Sequence, residues 1–186
     1  MAAEEAVLGL DTSCYTTSAA LMDLHGHLLG DQRRLLRVKP GHRGLAQSEM
    51  VFQHTRNLPD LLEALDLSGV QVKAIGVSAK PRPREESYMP AFLVGLGMAR
   101  SLGKLMGLPV HRFTHQHNHM FAGLWSVGKP APDRFLLVHI SGNPGAPAST
   151  SMQASSSTGW GWPWACPFRR GPRWKNWRRP LRKPIP

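Results

Sequence analysis

An α/β layer fold with a mixed sheet is the class that this 186-residue sequence predicts. Two observations carry the expectation. Short apolar runs of strand length recur through the first 142 residues, and between them lie longer stretches whose apolar residues return at helical spacing. The order matters as well. Three strands come first and then strands alternate with helices, β-β-β-α-β-α-β-α-β, which calls for a sheet covered by helices.

The elements follow in chain order. Ala6–Ser13, AVLGLDTS, is a short apolar run that ends in Asp, Thr and Ser, as a buried strand entering a polar turn does. Two strands are expected around His25-Gly26-His27, where glycine supplies the positive φ of a hairpin, and the first three strands should be antiparallel. Lys39–Gly44 is a loop. Between Leu45 and Leu67, Val51, Leu58, Leu62 and Leu65 recur at helical spacing, with a kink expected at Pro59. Val72–Ala79 is a second buried strand. Tyr88–Met106 is a helix rich in Ala, Gly, Leu and Met, closed by Gly107 and Pro109. Leu108–Phe113 is a short strand, and Thr114 stands as N-cap of a helix that opens on His115. Arg134–Gly142 is the last strand and enters a glycine turn.

Charge divides the chain in two. The net charge is +11, yet all 12 acids lie in residues 1–142 with 15 of the 23 Lys and Arg. Residues 143–186 hold the other 8 basic residues, half of the 16 prolines and five of the six tryptophans. The high charge therefore says little about the body. Two cysteines far apart, Cys14 and Cys166, make no disulfide framework and point to a reducing compartment. The N-terminus lacks the apolar core of a signal peptide, and no stretch has the length of a membrane span, so a cytoplasmic protein is expected.

Three short segments could carry chemistry. In HQHNH, His115 and His119 are four residues apart and share one helix face, so both imidazoles can reach one metal ion. His117 would face nearly the opposite way. Spacing alone leaves open whether the pair binds metal or merely opens a helix, and a third ligand must come from elsewhere. In GLDTSCYTTS, Asp11, Thr12 and Ser13 follow a strand, where side chains and amides can meet a phosphate or its Mg²⁺; an ordinary Ser/Thr turn is the alternative. Cys14 lies in that turn, but a nucleophilic thiol needs a base, and none is identified. In HISG, His139, Ser141 and Gly142 form a second such turn after a strand. Two turns of this kind suggest a cleft between two lobes.

With these segments in order, VLGLDTSCYTTSAALMD, GLAQSEMVFQHTRNLPDLLEAL, SYMPAFLVGLGMARSLGKLMGLPVHRFTHQHNH and FLLVHISG, the chain resembles the tRNA N6-adenosine threonylcarbamoyltransferase family over about residues 5–142. The family was formerly called O-sialoglycoprotein endopeptidase or glycoprotease. The resemblance implies an actin/Hsp70-like, ribonuclease H-like lobe over residues 1–142. It further implies an acyltransferase that moves threonylcarbamoyl from its adenylate to N6 of an adenosine beside the anticodon. It also implies one iron or zinc ion on His115 and His119, completed by an aspartate of a second lobe. The expected partners are tRNA, threonylcarbamoyl-adenylate and related actin-like proteins. Departures mark a divergent branch. Asp11 stands where the family has Glu, Tyr15 where it has Asp, His117 where it has Glu, and Lys80–Pro83 has no glycine where the family has Gly-Pro-Gly.

Residues 143–186 resemble nothing in the family's second lobe. Back-translated and read from the third base of each codon, Gly159–Trp164 becomes an alternation of Leu, Val or Met with Gly or Ala, a composition that can pack. Thr158–Trp177 admits a reading that contains PFPAGPALE, similar to the family's Pro-Gly-Gly-Pro segment. A frameshifted, disordered basic tail is therefore expected in place of the second lobe, and the chain as written is expected to be inactive. The alternative is a non-catalytic paralogue, or an RNA- or partner-binding protein with a basic tail.

Overall fold

The computed structural model describes residues 3–41, 44–128, 134–141 and 149–156, the last two stretches by their backbone. Three strands open the fold, β1 (Glu4–Asp11), β2 (Thr16–Asp23) and β3 (Leu28–Leu35). Both neighbouring pairs are antiparallel, as expected. Helix α1 (Gln47–Glu63), strand β4 (Val70–Lys80), helix α2 (Phe92–Met106), strand β5 (Val110–Thr114) and helix α3 (His115–Val127) follow. Strands β4 and β5 join parallel to β1, giving a five-stranded mixed sheet in the order β3-β2-β1-β4-β5. The expected α/β class with a mixed sheet is thus observed.

Burial alternates along the central strands. Ala6, Leu8 and Leu10 of β1, Ala19 and Leu21 of β2, and Ile75 and Val77 of β4 are buried on one face. Leu58 and Leu61 from α1, Leu65 just beyond its end and Ala99 from α2 close over them. Helix α2 presents Phe92, Gly95, Ala99 and Gly103 to the sheet, a row of mostly small residues that lets its backbone lie close. Gly107, at φ 68°, ends the helix in the left-handed conformation that an L side chain resists.

The opposite face carries smaller residues, among them Gly9, Ala20 and Gly76, and α3 lies across part of it. Asn118 donates to the hydroxyl of Ser78, which is fully buried on β4. At the far end of α3, the Trp125 indole donates to the Gly26 carbonyl at 2.9 Å, in the β2–β3 hairpin. That hairpin turns where expected, on Gly26 at φ 90°, and Asp23 ties it by accepting from the amides of His25 and His27.

Element boundaries differ from expectation at three places. Helix α1 begins at Gln47 rather than Leu45 and ends at Glu63 rather than Leu67. Its C-terminal side gives way to a turn in which Asp66 accepts from the Ser68 amide. Helix α2 begins at Phe92, not Tyr88, because Pro90 keeps the residue before it out of helical conformation. The third difference concerns the last expected strand. It forms as β6 (Arg134–Ser141) but stands outside the five-stranded sheet, pairing antiparallel with β7 (Ser149–Ser156), a strand not expected at all. Most of the remaining stretch 143–186, including its tryptophans, lies outside the described residues.

Candidate functional site at the C-terminal edge of the parallel strands

Strands β1, β4 and β5 run parallel, so Asp11, Lys80 and Thr114 all finish at one edge of the sheet. Such an edge is where an α/β sheet collects loops able to meet a ligand. Three segments gather there: the turn after β1, the loop between β4 and α2, and the first turn of α3.

The turn after β1 is held from inside. Asp11 accepts from the Ser13 amide at 2.7 Å, which bends the backbone back on itself. Its carboxylate is half-buried. Thr12 is fully buried, and its hydroxyl donates to the Ala91 carbonyl at 2.9 Å while accepting from the Gly95 amide at 3.0 Å. Thr12 therefore fastens the turn to the start of α2, and Ser13 is buried beside it. Of this trio, Asp11 is the side chain with open surface.

From α2 the chain of contacts reaches the histidines. The Phe92 ring meets the His115 ring edge-on, with centroids 6.3 Å apart. Thr114 caps α3 as expected, accepting from the His117 amide at 3.2 Å. One helical turn apart, His115 and His119 bring their Nε2 atoms to 2.9 Å, His115 half-buried and His119 exposed. His117 turns away toward Phe121, at 6.4 Å between ring centroids, and burial pushes its pKa down. Two imidazole nitrogens on one ion, each at about 2.1 Å, lie about 3.0–3.4 Å apart. The observed pair fits that demand with a small ring rotation. No group of three or more His, Cys, Asp or Glu among the described residues could hold a metal, so a third ligand would have to come from outside them.

The structure thus brings Asp11, Thr12, Ser13, His115 and His119 to one edge. It places His139 and Ser141 in the other sheet, opposite Ser151 and Ser149. Gly142 lies outside the described residues. Cys14 is no activated nucleophile: burial, and then the Asp11 charge, push its thiol up.

Sequence reasoning missed one residue, His54. It is fully buried in α1, in the row Met50, His54, Leu58 and Leu61. Its Nδ1 lies 2.8 Å from the Thr17 hydroxyl and its Nε2 3.1 Å from the Cys14 carbonyl. A leucine there would add about 1.5–3 kcal/mol of apolar burial, which the imidazole forgoes. Burial holds the His54 pKa below its usual 6.5, against the opposing pull of the Cys14 carbonyl and Asp11.

Comparison with known proteins gives a consistent set of relatives. The chain is 33% identical over 138 residues to the tRNA N6-adenosine threonylcarbamoyltransferase of Aromatoleum aromaticum, a match covering 71% of this chain and 39% of that protein. The enzyme of the same name from Pyrobaculum calidifontis is 28% identical over 142 residues, covering 74% of this chain and 39% of that protein. Among solved structures, YeaZ from Pseudomonas aeruginosa is similar at 17% identity, with a TM-score of 0.49 over 86% of this chain and 71% of that one. No family model matches the chain. The chain spans about two fifths of the length of the curated relatives it matches.

Proposed function

Because the chain belongs, over its N-terminal portion, to the tRNA N6-adenosine threonylcarbamoyltransferase family, we propose that it is one lobe of a threonylcarbamoyl transferase acting on tRNA. In that reaction N6 of the target adenosine attacks the carbamoyl carbon of threonylcarbamoyl-adenylate. The bond to the phosphate oxygen breaks, AMP leaves, and the amine proton goes to solvent or a base. The observation that carries the reading is the edge itself: His115 and His119 have their Nε2 atoms 2.9 Å apart, and the start of α2 joins them to the Asp11 turn, Phe92 meeting His115 while Ala91 and Gly95 bond Thr12.

Each group has a task under this reading. His115 and His119 would hold one iron or zinc ion, which when bound supplies positive charge to the substrate's phosphate. Asp11 is the carboxylate that can orient a hydroxyl or amine of the ligand at the edge, as its Oδ1 already does for the Ser13 amide. Thr12 keeps the turn and α2 in fixed relation, so that orientation is set before the ligand arrives. No helix among the described residues is long and apolar enough to cross a membrane. A cytoplasmic setting and assembly with related actin-like proteins belong to the same proposal.

For residues 143–186 we extend the proposal to a displaced reading frame. The alternation of apolar triplets with Gly or Ala in the shifted frame of Gly159–Trp164 supports it. The chain as written would then lack the third metal ligand and form no product. The test is complementation of cells depleted of their own threonylcarbamoyl transferase. A gene with the frame restored at codon 143 should return modified tRNA, and the gene as written should not. Failure of both would leave the non-catalytic, RNA- or partner-binding protein as the better account, with its 8 tail bases and no acid.

A further inference from the structure

We propose that His54 is the positioning residue of the Asp11–Thr17 turn: a neutral imidazole, protonated on Nε2, that holds the Cys14 carbonyl and so sets the course of the backbone from which Asp11 reaches the edge. The importance of that course for a ligand rests on the function proposed above. The positioning itself does not.

The hydrogen bonds admit one consistent direction. A carbonyl can only accept, so Nε2 of His54 donates to the Cys14 oxygen at 3.1 Å. A neutral ring then has no proton on Nδ1, which accepts from the Thr17 hydroxyl at 2.8 Å. The Thr17 oxygen in turn accepts from the Asn57 amide at 3.3 Å. Donation therefore runs from Asn57 to Thr17 to His54 to Cys14, from α1 into β2, back into α1 and out to the turn. A proton added at Nδ1 would leave the Thr17 hydroxyl without its acceptor. Burial of the ring opposes that proton as well.

What the ring holds is an unusual piece of backbone. Cys14 has φ 58°, the single positive φ at a non-glycine residue among the described residues. An L residue in that conformation is kept there by its surroundings. Neighbouring contacts fix the rest of the turn, Asp11 with the Ser13 amide before it and the Tyr15 carbonyl with the Leu36 amide after it. The Cys14 carbonyl between them is held by His54. A satisfied core histidine would also show two partners. The difference is that this one grips the strained residue of a turn at the candidate site.

Cys14 supplies its own probe. With Cys166 replaced by Ser, the alkylation rate of Cys14 by iodoacetamide reports how often the turn opens. His54→Gln can keep an amide donor to the carbonyl, and His54→Leu fills the space without one. In folded protein, judged by circular dichroism, His54→Leu should raise the rate about tenfold, equal to about 1.4 kcal/mol, near the net worth of one hydrogen bond. His54→Gln should stay near the parent rate. Should His54→Leu fail to fold, Thr17→Val removes the partner of Nδ1 from β2, and it should raise the rate severalfold. An unchanged Cys14 rate in folded His54→Leu, or in Thr17→Val where the first does not fold, overturns the proposal. Titration of the frame-restored protein with AMP separates the two claims. Lost affinity in His54→Leu, retained in His54→Gln, supports both. An open turn in a protein that never binds AMP supports the positioning and counts against the transferase reading.

Discussion

Gly95→Ala should destabilise this protein, although alanine is the better helix former. In an open helix the exchange would gain about 1 kcal/mol. At Gly95, however, an added Cβ would stand 2.9 Å from Thr12 Oγ1, 3.4 Å from Thr12 Cγ2 and 3.6 Å from Val77 Cγ2. The hydroxyl cannot yield freely, because it is fully buried and already bridges the Ala91 carbonyl and the Gly95 amide. Overpacking of this kind costs about 1–3 kcal/mol, and loosening the two hydrogen bonds costs about 0.5–1.5 kcal/mol each. The helix gain is outweighed, leaving a net loss of about 1–5 kcal/mol. For a chain of this size that lowers Tm by about 2–4 °C per kcal/mol. Gly97, two residues on in the same helix, is the control, since a Cβ there meets nothing within 4 Å. Gly97→Ala should raise stability by a few tenths to about 1 kcal/mol. Thermal and urea denaturation of the two variants decide the matter. A Gly95→Ala protein as stable as the parent would refute the claim that Thr12 locks α2 to the turn.

Two further outcomes are expected. Calorimetric titration of the chain as written with Zn²⁺ or Fe²⁺ should show weak binding, because two histidines leave most of the coordination shell to water. Tight binding that survives His115→Ala would remove the pair from the account. Acid should also test His54. Its folded pKa is lowered, so the unfolded chain takes up the proton first, near 6.5. The stability gained from keeping the ring neutral is present above that value and is lost as pH falls through the lower folded pKa. His54→Gln should remove this part of the pH dependence, and an identical stability–pH curve between 7 and 5 would contradict the burial effect.

The local signals were legible in the sequence. Apolar runs ending in polar turns marked β1 and β4, Gly26 marked the hairpin, Thr114 marked the start of α3, and the four-residue spacing of His115 and His119 put both on one side of it. Helix α1 shows where such reading stops. Val51, Leu58, Leu62 and Leu65 marked the helical spacing, while the structure buries Met50, His54, Leu58 and Leu61 in the helix and Leu65 just beyond it. A histidine interrupts the apolar row between Met50 and Leu58. The same interruption was the available signal: a polar ring at helical spacing from Met50 and Leu58 needs buried partners. Those partners, Thr17 and Cys14, are 37 and 40 residues away, and Thr12 meets Gly95 across 83. Spacing along a chain does not reveal pairings of that range. Strand β7 was hidden for another reason. Ser149–Ser156, STSMQASS, lacks the apolar alternation by which strands are recognised.

Nucleoside mass spectrometry of tRNA, after incubation with threonylcarbamoyl-adenylate, tests the transferase account most directly. Three proteins are compared: the chain as written, the frame-restored protein, and the frame-restored protein carrying His115→Ala and His119→Ala. Threonylcarbamoyladenosine should form with the second alone. Loss of both imidazoles should reduce the rate by about 100-fold or more, since even outer partners of a metal site are worth 10–100-fold. Equal product from the frame-restored protein and its double variant, or product from the chain as written, would contradict the account.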